Sequence, residues 1–263
     1  MLECVINISE GRDLATVDQI ASAAGDHLLD VHSDPDHHRS VLTIIGAPAA
    51  RAVTEAAVGL LDLATHQGSH PRLGVVDVVP FVALTGAPAE AVEARNAFAA
   101  WAGRDLALPC FRYGPERTLP QVRRGAFAAI APDTGPPQPH PTAGACCVGA
   151  RGVMVAYNLW LADADRHMAT ELVRSIRSAS VRALAIGVGT TVQVSTNLIA
   201  PDVTGPADVY DAVAARADIA RAELVGLAPA SVLARIPERR WAELDLAADR
   251  TIEARLDARA IKS

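Results

Sequence analysis

Lysine is almost missing from this chain: Lys262 is the only one, and every other cationic side chain is arginine. Schiff-base, pyridoxal-phosphate and P-loop enzymes each need a lysine held in a structured pocket. Those classes are excluded. Cysteine is scarce as well, and Cys4, Cys110, Cys146 and Cys147 show no C-x-x-C spacing. Adjacent Cys146 and Cys147 have poor geometry for bridging each other, which argues against a zinc ribbon or a disulfide framework. Cys4 reads as core packing, and so do Cys146 and Cys147, with a reactive thiol as the weaker alternative for the pair. No apolar run reaches the roughly 18 residues of a membrane span, and Met1-Leu2-Glu3-Cys4 is not the basic start of a signal peptide. A cytoplasmic location and no membrane partner are expected. G-x-S-x-G is absent, so the nucleophile-elbow hydrolases lose their signature. Gly187-Val188-Gly189 lacks the third glycine of the dinucleotide fingerprint and reads as a turn.

Basic clusters are missing too. The 24 basic residues are outnumbered by 30 acidic ones, giving a formal net charge of -6. Nucleic-acid phosphates call for patches of Lys and Arg, so no nucleic-acid partner is expected. What the chain does have is apolar residues: half of its 263 positions, enough to bury a core without a metal or disulfide staple. Small-molecule chemistry is the leading class.

Leu2 to Ile8 alternates like a strand, and Leu14, Val17, Ile20 and Ala24 recur at helical spacing before Gly25. Strands are expected at His27 to His32 and Arg39 to Gly46, joined by Ser33-Asp34-Pro35-Asp36, with a helix from Pro48 to about Thr65 and a strand from Gly74 to Leu84. The order is βαββαβ, the split pattern of ferredoxin-like domains. A helix from Pro88 to Trp101 and a strand near Cys110 to Tyr113 extend it. After the Pro- and Gly-rich stretch from Pro132 to Gly144, the same order returns: strand Val153 to Asn158, helix Ala162 to Ile176, strands Val181 to Val188 and Thr191 to Ile199. A helix from Pro206 to about Ala222 and a short strand at Leu224 to Leu227 complete it. The residues after Pro229 read as helical. The fold class is therefore α/β (α+β), with two ferredoxin-like βαββαβ subdomains.

Right-handed crossovers bring three loops of the first subdomain to one edge: 9–12, 32–39 and 66–72. They hold five of the eight histidines, His32, His37, His38, His66 and His70, beside Asp34, Asp36, Arg39 and Arg72. Histidine titrates near neutrality, so the cluster suits proton transfer. Solvated turns are also rich in these residue types, and most of the five are expected to be bystanders. His66 and His70 have the i, i+4 spacing of two metal ligands on a helix. Pro71 pushes His70 out of helical geometry, which places a metal site behind proton transfer.

At these same loops the chain resembles the glutamate formimidoyltransferases, the formiminotransferase part of formimidoyltransferase-cyclodeaminase and its stand-alone bacterial relatives. The resemblance rests on Glu3-Cys4-Val5 with Asn7, Ser9-Glu10-Gly11, Leu28-Leu29-Asp30-Val31, and Asp36-His37 with Arg39-Ser40-Val41. The most specific block is His66-x-Gly68-x-His70-Pro71-Arg72-x-Gly74 running into Asp77-Val78 and Pro80-Phe81. Arg117-Thr118-Leu119-Pro120, Gly149-Ala150-Arg151, Ala156-Tyr157-Asn158, Gln193-Val194-Ser195-Thr196-Asn197 and Leu224-Val225-Gly226-Leu227 carry it on to about Pro229.

The resemblance implies two subdomains, 1–149 and 150–263, with a substrate groove between them. It implies His70 as the catalytic histidine and tetrahydrofolate as co-substrate, with no metal. From Asp133-x-Gly135-Pro136 it implies a folate-binding stretch of Gly135, Pro136, Pro137, Gln138, Pro139, His140, Pro141, Thr142, Ala143 and Gly144. The interior Pro137-Gln138-Pro139-His140 departs from the family's usual serine- and aromatic-containing sequence. Relatives often have an acid at His32, an asparagine at His38 and a glutamate at Ser69. These differences flank the reacting groups.

Three readings follow. In the first, a formimidoyl group moves from N-formimino-L-glutamate to N5 of tetrahydrofolate, with His70 as general acid and base. Arg39 and Arg72 hold donor carboxylates in planar guanidinium forks, and His32 and His38 shape the donor pocket. The second is a non-catalytic folate-binding protein, and the third a folate-dependent transferase acting on another amine. Folate and a formimino amino acid are the expected partners. The oligomeric state is open, a homodimer included.

Overall fold

β1 (Leu2–Ile8) alternates as expected, turning Cys4, Ile6 and Ile8 into the core. Asp13 starts α1 (Leu14–Ser22) by accepting the Thr16 amide. The chain continues through β2 (Leu28–Asp34), β3 (Arg39–Ile45), α2 (Ala47–Leu60), β4 (Val76–Ala83), α3 (Pro88–Asp105), β5 (Cys110–Tyr113), α4 (Leu119–Gly125) and β6 (Cys146–Ala150). The computed structural model describes residues 1–68 and 71–261, which divide into the units Met1–Gly152 and Val153–Ser263.

The six strands of the first unit lie in the order β2-β3-β1-β4-β6-β5. The β2–β3, β3–β1 and β1–β4 pairs are antiparallel, and β6 runs parallel to both β4 and β5. The first strand thus sits between the third and fourth, as in a ferredoxin-like unit. Its main core joins Ile6, Ile44, Phe81 and Val148 to Ile20, Val53 and Phe98 from the helices, and a smaller cluster forms around Phe111, Val122 and Cys147.

In the second unit β7 (Val155–Leu161), α5 (Arg166–Ile176), β8 (Val181–Val188), β9 (Thr191–Leu198), α6 (Pro206–Ala214) and β10 (Ile219–Val225) repeat the pattern, followed by α7 (Ala230–Leu233) and α8 (Ile252–Ala260). The sheet order β10-β7-β9-β8 is the same arrangement, antiparallel throughout. Tyr157, Leu159, Val194 and Leu224 meet Leu172, Val173 and Val209 in its core.

Several boundaries differ from the sequence expectation. α2 ends at Leu60 instead of Thr65, because the Asp62 side chain accepts the Ala64 amide and opens a 3-10 turn, while the Leu63 amide bonds Thr142 O at 2.7 Å. α3 runs to Asp105, beyond Trp101. The helix expected from Ala162 starts at Arg166, where Asp165 caps it. α6 stops at Ala214, and Ile219–Val225 is a strand although Ala, Arg and Glu favour helix there. Pairing with β7 puts Ala222 and Leu224 in the core, and tertiary burial outweighs propensity. β6 and α4 were not anticipated. Among the described residues no helix is long and apolar enough to cross a membrane.

Candidate functional site

The β1–α1 loop, the β2–β3 hairpin and the segment before β4 converge on one end of the first sheet. Glu10 is the hub: its Oε1 accepts the amides of Gly11, Arg12 and Asp13 at 2.8–2.9 Å and His38 Nε2 at 2.9 Å. Burial pushes the Glu10 carboxyl up, but the Asp13 and Arg12 amides and His38 outweigh it and hold its pKa below the usual range. His38 sits at a φ of 50° with Nδ1 2.9 Å from Gln67 O, and its ring stacks on His66 at 4.2 Å. This tie links all three loops.

His66 turns Nε2 to His38 O at 2.9 Å, and Arg72 donates to the His66 ring. Burial pushes the His66 pKa down, with the charges of Arg72 and the His38 ring in the same direction, and this outweighs the opposing His38 carbonyl and Glu10. Asp34 accepts the amides of Asp36 and His37 at 2.8 and 2.9 Å and pairs with His37 Nδ1. Burial opposes ionisation of Asp34, yet the His37 ring and amide prevail and its pKa is lowered. His37 is buried and oriented by an acid, a pairing that the turn-like composition of this hairpin disguised.

Arginines dominate the charge. Arg39 donates to Asn7 Oδ1. It is half-buried as a residue, and withdrawal of its guanidinium from water pushes its pKa down to about 10. Asp77 and Asp34 oppose that shift; Arg123 and Arg72 reinforce it. Arg72 is likewise pushed down, by burial first and then by Arg123 and Arg12. Asp77, 3% exposed, bonds Leu73 N at 2.8 Å and pairs with Arg123, which also donates to Pro71 O at 3.0 Å. Arg72 is therefore pinned through both neighbours. Asp77 and Arg123 were not among the expected site residues. A lone acid inside the run Val75-Val76-Asp77-Val78-Val79 was the available signal.

Residues 135–144 form a defined strap. Asp133 anchors its start, accepting Arg112 N at 2.7 Å and Arg117 Nη2 at 2.6 Å. Pro137, Gln138 and Pro139 are exposed, whereas the His140 ring accepts the Ala143 amide at 3.0 Å. Its end pairs with the entry to β4: Val75 N bonds Ala143 O at 3.0 Å, and Ala145 N bonds Leu73 O at 2.9 Å. Only glycine fits this crossing. A Cβ on Gly74 would lie 2.3 Å from Ala145 O, and one on Gly144, at a φ of +71°, 2.3 Å from Leu73 O.

The structure thus brings Arg39, His38 and Arg72 together and lays Ala143 and Gly144 against the segment after Arg72, with Thr142 bonded to Leu63 before it. His32 lies inside β2 opposite Val41, not in the hairpin loop, because the strand continues to Asp34. His70 and Ser69 lie outside the described residues, so the His66–His70 chelate does too. Among the described residues no group of three or more His, Cys, Asp and Glu side chains could hold a metal ion.

Comparison with known proteins adds a family. A family model described as the formiminotransferase domain, N-terminal subdomain, matches residues 1–151. A glutamate formimidoyltransferase of Streptococcus pyogenes is 32% identical over 278 aligned positions, covering 90% of this chain and 92% of that protein. One from Thermoplasma acidophilum is 33% identical, with 89% of each chain covered. The formimidoyltransferase-cyclodeaminase of Sus scrofa is 32% identical over 89% of this chain and 51% of its own length, so this chain spans about half of that relative.

Proposed function

The chain belongs to the formiminotransferase family, and on that premise we propose that it transfers a formimidoyl group from N-formimino-L-glutamate to N5 of tetrahydrofolate. N5 attacks the formimino carbon and a tetrahedral adduct forms. His70 takes the proton that N5 loses and returns it to the departing glutamate nitrogen as the C–N bond breaks, work suited to an imidazole near neutrality. Arg39 and Arg72 receive the donor carboxylates, and residues 135–144 receive folate. Residues 1–149 and 150–263 are the two subdomains of this enzyme.

The observation that carries the reading is the strap. Thr142, Ala143 and Ala145 bond to Leu63, Val75 and Leu73, on either side in sequence of the segment that contains His66, His70 and Arg72. A folate held there lies against both ends of the segment 63–75. The Arg39 pKa, depressed chiefly by burial, supports the donor subsite, since an arriving carboxylate would add counter-charge to that of Asp77 and Asp34.

The test is His70→Asn. Turnover with tetrahydrofolate and formiminoglutamate is expected to fall about 10²–10⁴-fold, with folate affinity unchanged. Retained turnover would remove His70 from the chemistry, and wild-type protein that turns over neither substrate would remove the activity.

A further inference from the structure

His38 stands where the three loops of the first unit meet, with both ring nitrogens engaged. Nε2 lies 2.9 Å from Glu10 Oε1, and Nδ1 lies 2.9 Å from Gln67 O. The pair is withdrawn from water, the His38 side chain 13% exposed and that of Glu10 15%. Neither partner donates. Gln67 offers a carbonyl, and Glu10, held below the usual carboxylate range, is an anion at neutral pH whose Oε1 also accepts the amides of Gly11, Arg12 and Asp13. A neutral imidazole has one N–H and one lone pair, so it satisfies one of these acceptors and turns its lone pair on the other. Only an imidazolium, with a proton on each nitrogen, makes both bonds.

The other charged groups of these loops have partners of their own. On the hairpin, Asp34 pairs with His37, Arg39 donates to Asn7, and Asp36 is exposed. On the β1–α1 loop, Arg12 Nε donates to Pro35 O at 2.9 Å and Asp13 caps α1. Before β4, Arg72 donates to the His66 ring. Among the described residues, Glu10 is therefore the one acid bonded to the His38 ring. His66 adds a tie that does not use the ring protons of His38: its Nε2 bonds His38 O at 2.9 Å, and the two rings stack at 4.2 Å. Gly68 follows Gln67 and crowds the hairpin, since a Cβ there would lie 2.7 Å from His37 O.

We propose that His38 is a positioning residue that works as an imidazolium clamp: one N–H holds it to Glu10, the other holds the Gln67 carbonyl, and loss of one proton frees Gln67. The proton that leaves is the one on Nδ1, because a lone pair against the Glu10 carboxylate is worse than one against a neutral carbonyl, and the charge-assisted bond is the stronger of the two. Release then begins at Gln67, three residues before His70 in sequence, while His66 stays tied to the hairpin. The consequence for catalysis rests on the formimidoyl transfer proposed above. If that reading is right, the clamp fixes the segment that carries His70 and gives turnover an alkaline limb, opposite to the acid limb of a general base.

The experiment compares wild type with His38→Asn, which suits the φ of 50° at this position and has no titrating ring. Ring nitrogens are observed by NMR in protein carrying isotope-labelled histidine, and deuterium exchange of residues 63–72 is followed from about pH 5 to 9, normalised to the unstructured rate. Expected in wild type is a histidine signal, absent from His38→Asn, with both nitrogens protonated at the acid end and Nε2 alone at the alkaline end. Protection of the segment should fall roughly 2- to 10-fold over the same step, the net worth of one hydrogen bond. His38→Asn should match alkaline wild type at every pH, and its turnover should keep the acid limb and lose the alkaline one. Should His38→Asn fail to fold, His38→Gln takes its place, and the wild-type spectrum decides the protonation state without either. A ring that holds a single proton throughout, segment protection that ignores its titration, or an alkaline limb unchanged in the variant would overturn the clamp and leave the transferase reading intact. A wild type that shows the clamp and turns over no formiminoglutamate would overturn that reading and leave the clamp standing.

Discussion

Replacing Asp77 by asparagine tests the electrostatic reading of the first unit most directly. The carboxylate is 3% exposed, accepts Leu73 N at 2.8 Å and pairs with Arg123, and it offsets Arg39. An asparagine keeps one acceptor, so it can retain the Leu73 bond. Its NH₂ then faces the guanidinium N–H groups, and Arg39, Arg72 and Arg123 lose the acid they share. Breaking a buried pair from one side costs about 3–5 kcal/mol. The Arg123 side chain is 20% exposed, and that access to water trims the cost to about 3 kcal/mol. Against a total stability of about 5–15 kcal/mol this is a large fraction.

Urea unfolding followed by far-UV circular dichroism would measure it. Arg123→Met in the Asp77→Asn background is expected to recover at least about 1 kcal/mol, since no unpaired charge remains, so the cycle should be non-additive. Removing the acid also takes away a group that holds the Arg39 pKa up, and it falls further below about 10. A loss under about 1 kcal/mol, with strict additivity, would refute the idea that Asp77 anchors this arginine cluster.

Two further outcomes follow from the same region. Gly144→Ala places a methyl group 2.3 Å from Leu73 O at a φ of +71°, a local penalty of about 1–3 kcal/mol before relaxation; tetrahydrofolate affinity should drop at least tenfold, and an unchanged dissociation constant would separate the strap from folate. Glu10 has a folded pKa below its unfolded value, so its contribution is full above the unfolded carboxylate range and fades as pH falls through the lowered folded value. In Glu10→Gln, the loss of stability between about pH 5 and pH 3 should be shallower than in wild type, and an identical acid limb would show that the Glu10 hub adds nothing.

Strand and helix order in both units was legible because alternation and 3.6-residue periodicity are local signals. Ile219–Val225 shows the limit: its helix-favouring residues are a strand because β7 offers an edge to pair with, a fact held elsewhere in the chain. β6 escaped notice for a related reason, since its first four residues, Cys146 to Gly149, are all buried between two parallel neighbours and show no alternation. At the site, the loops expected to meet do meet, and Arg39, His38 and Arg72 join there. Asp77 and Arg123 are 46 residues apart in sequence, and spacing rules that work over one helical turn cannot join them. His32 was misplaced by two residues of strand length, enough to move it from the turn into the ladder.

The strap also has a thermodynamic consequence. By bonding Leu63 on one side and Leu73–Val75 on the other, residues 142–145 close the segment between them into a loop with fixed ends. A ligand that orders the strap lowers the conformational entropy still to be lost when a second ligand orders the loop it closes. The coupling is reciprocal: whatever factor folate confers on donor affinity, the donor must confer on folate. Two substrates meeting on either side of Gly74 and Gly144 would therefore report on one another, and the pair of glycines sets how tightly.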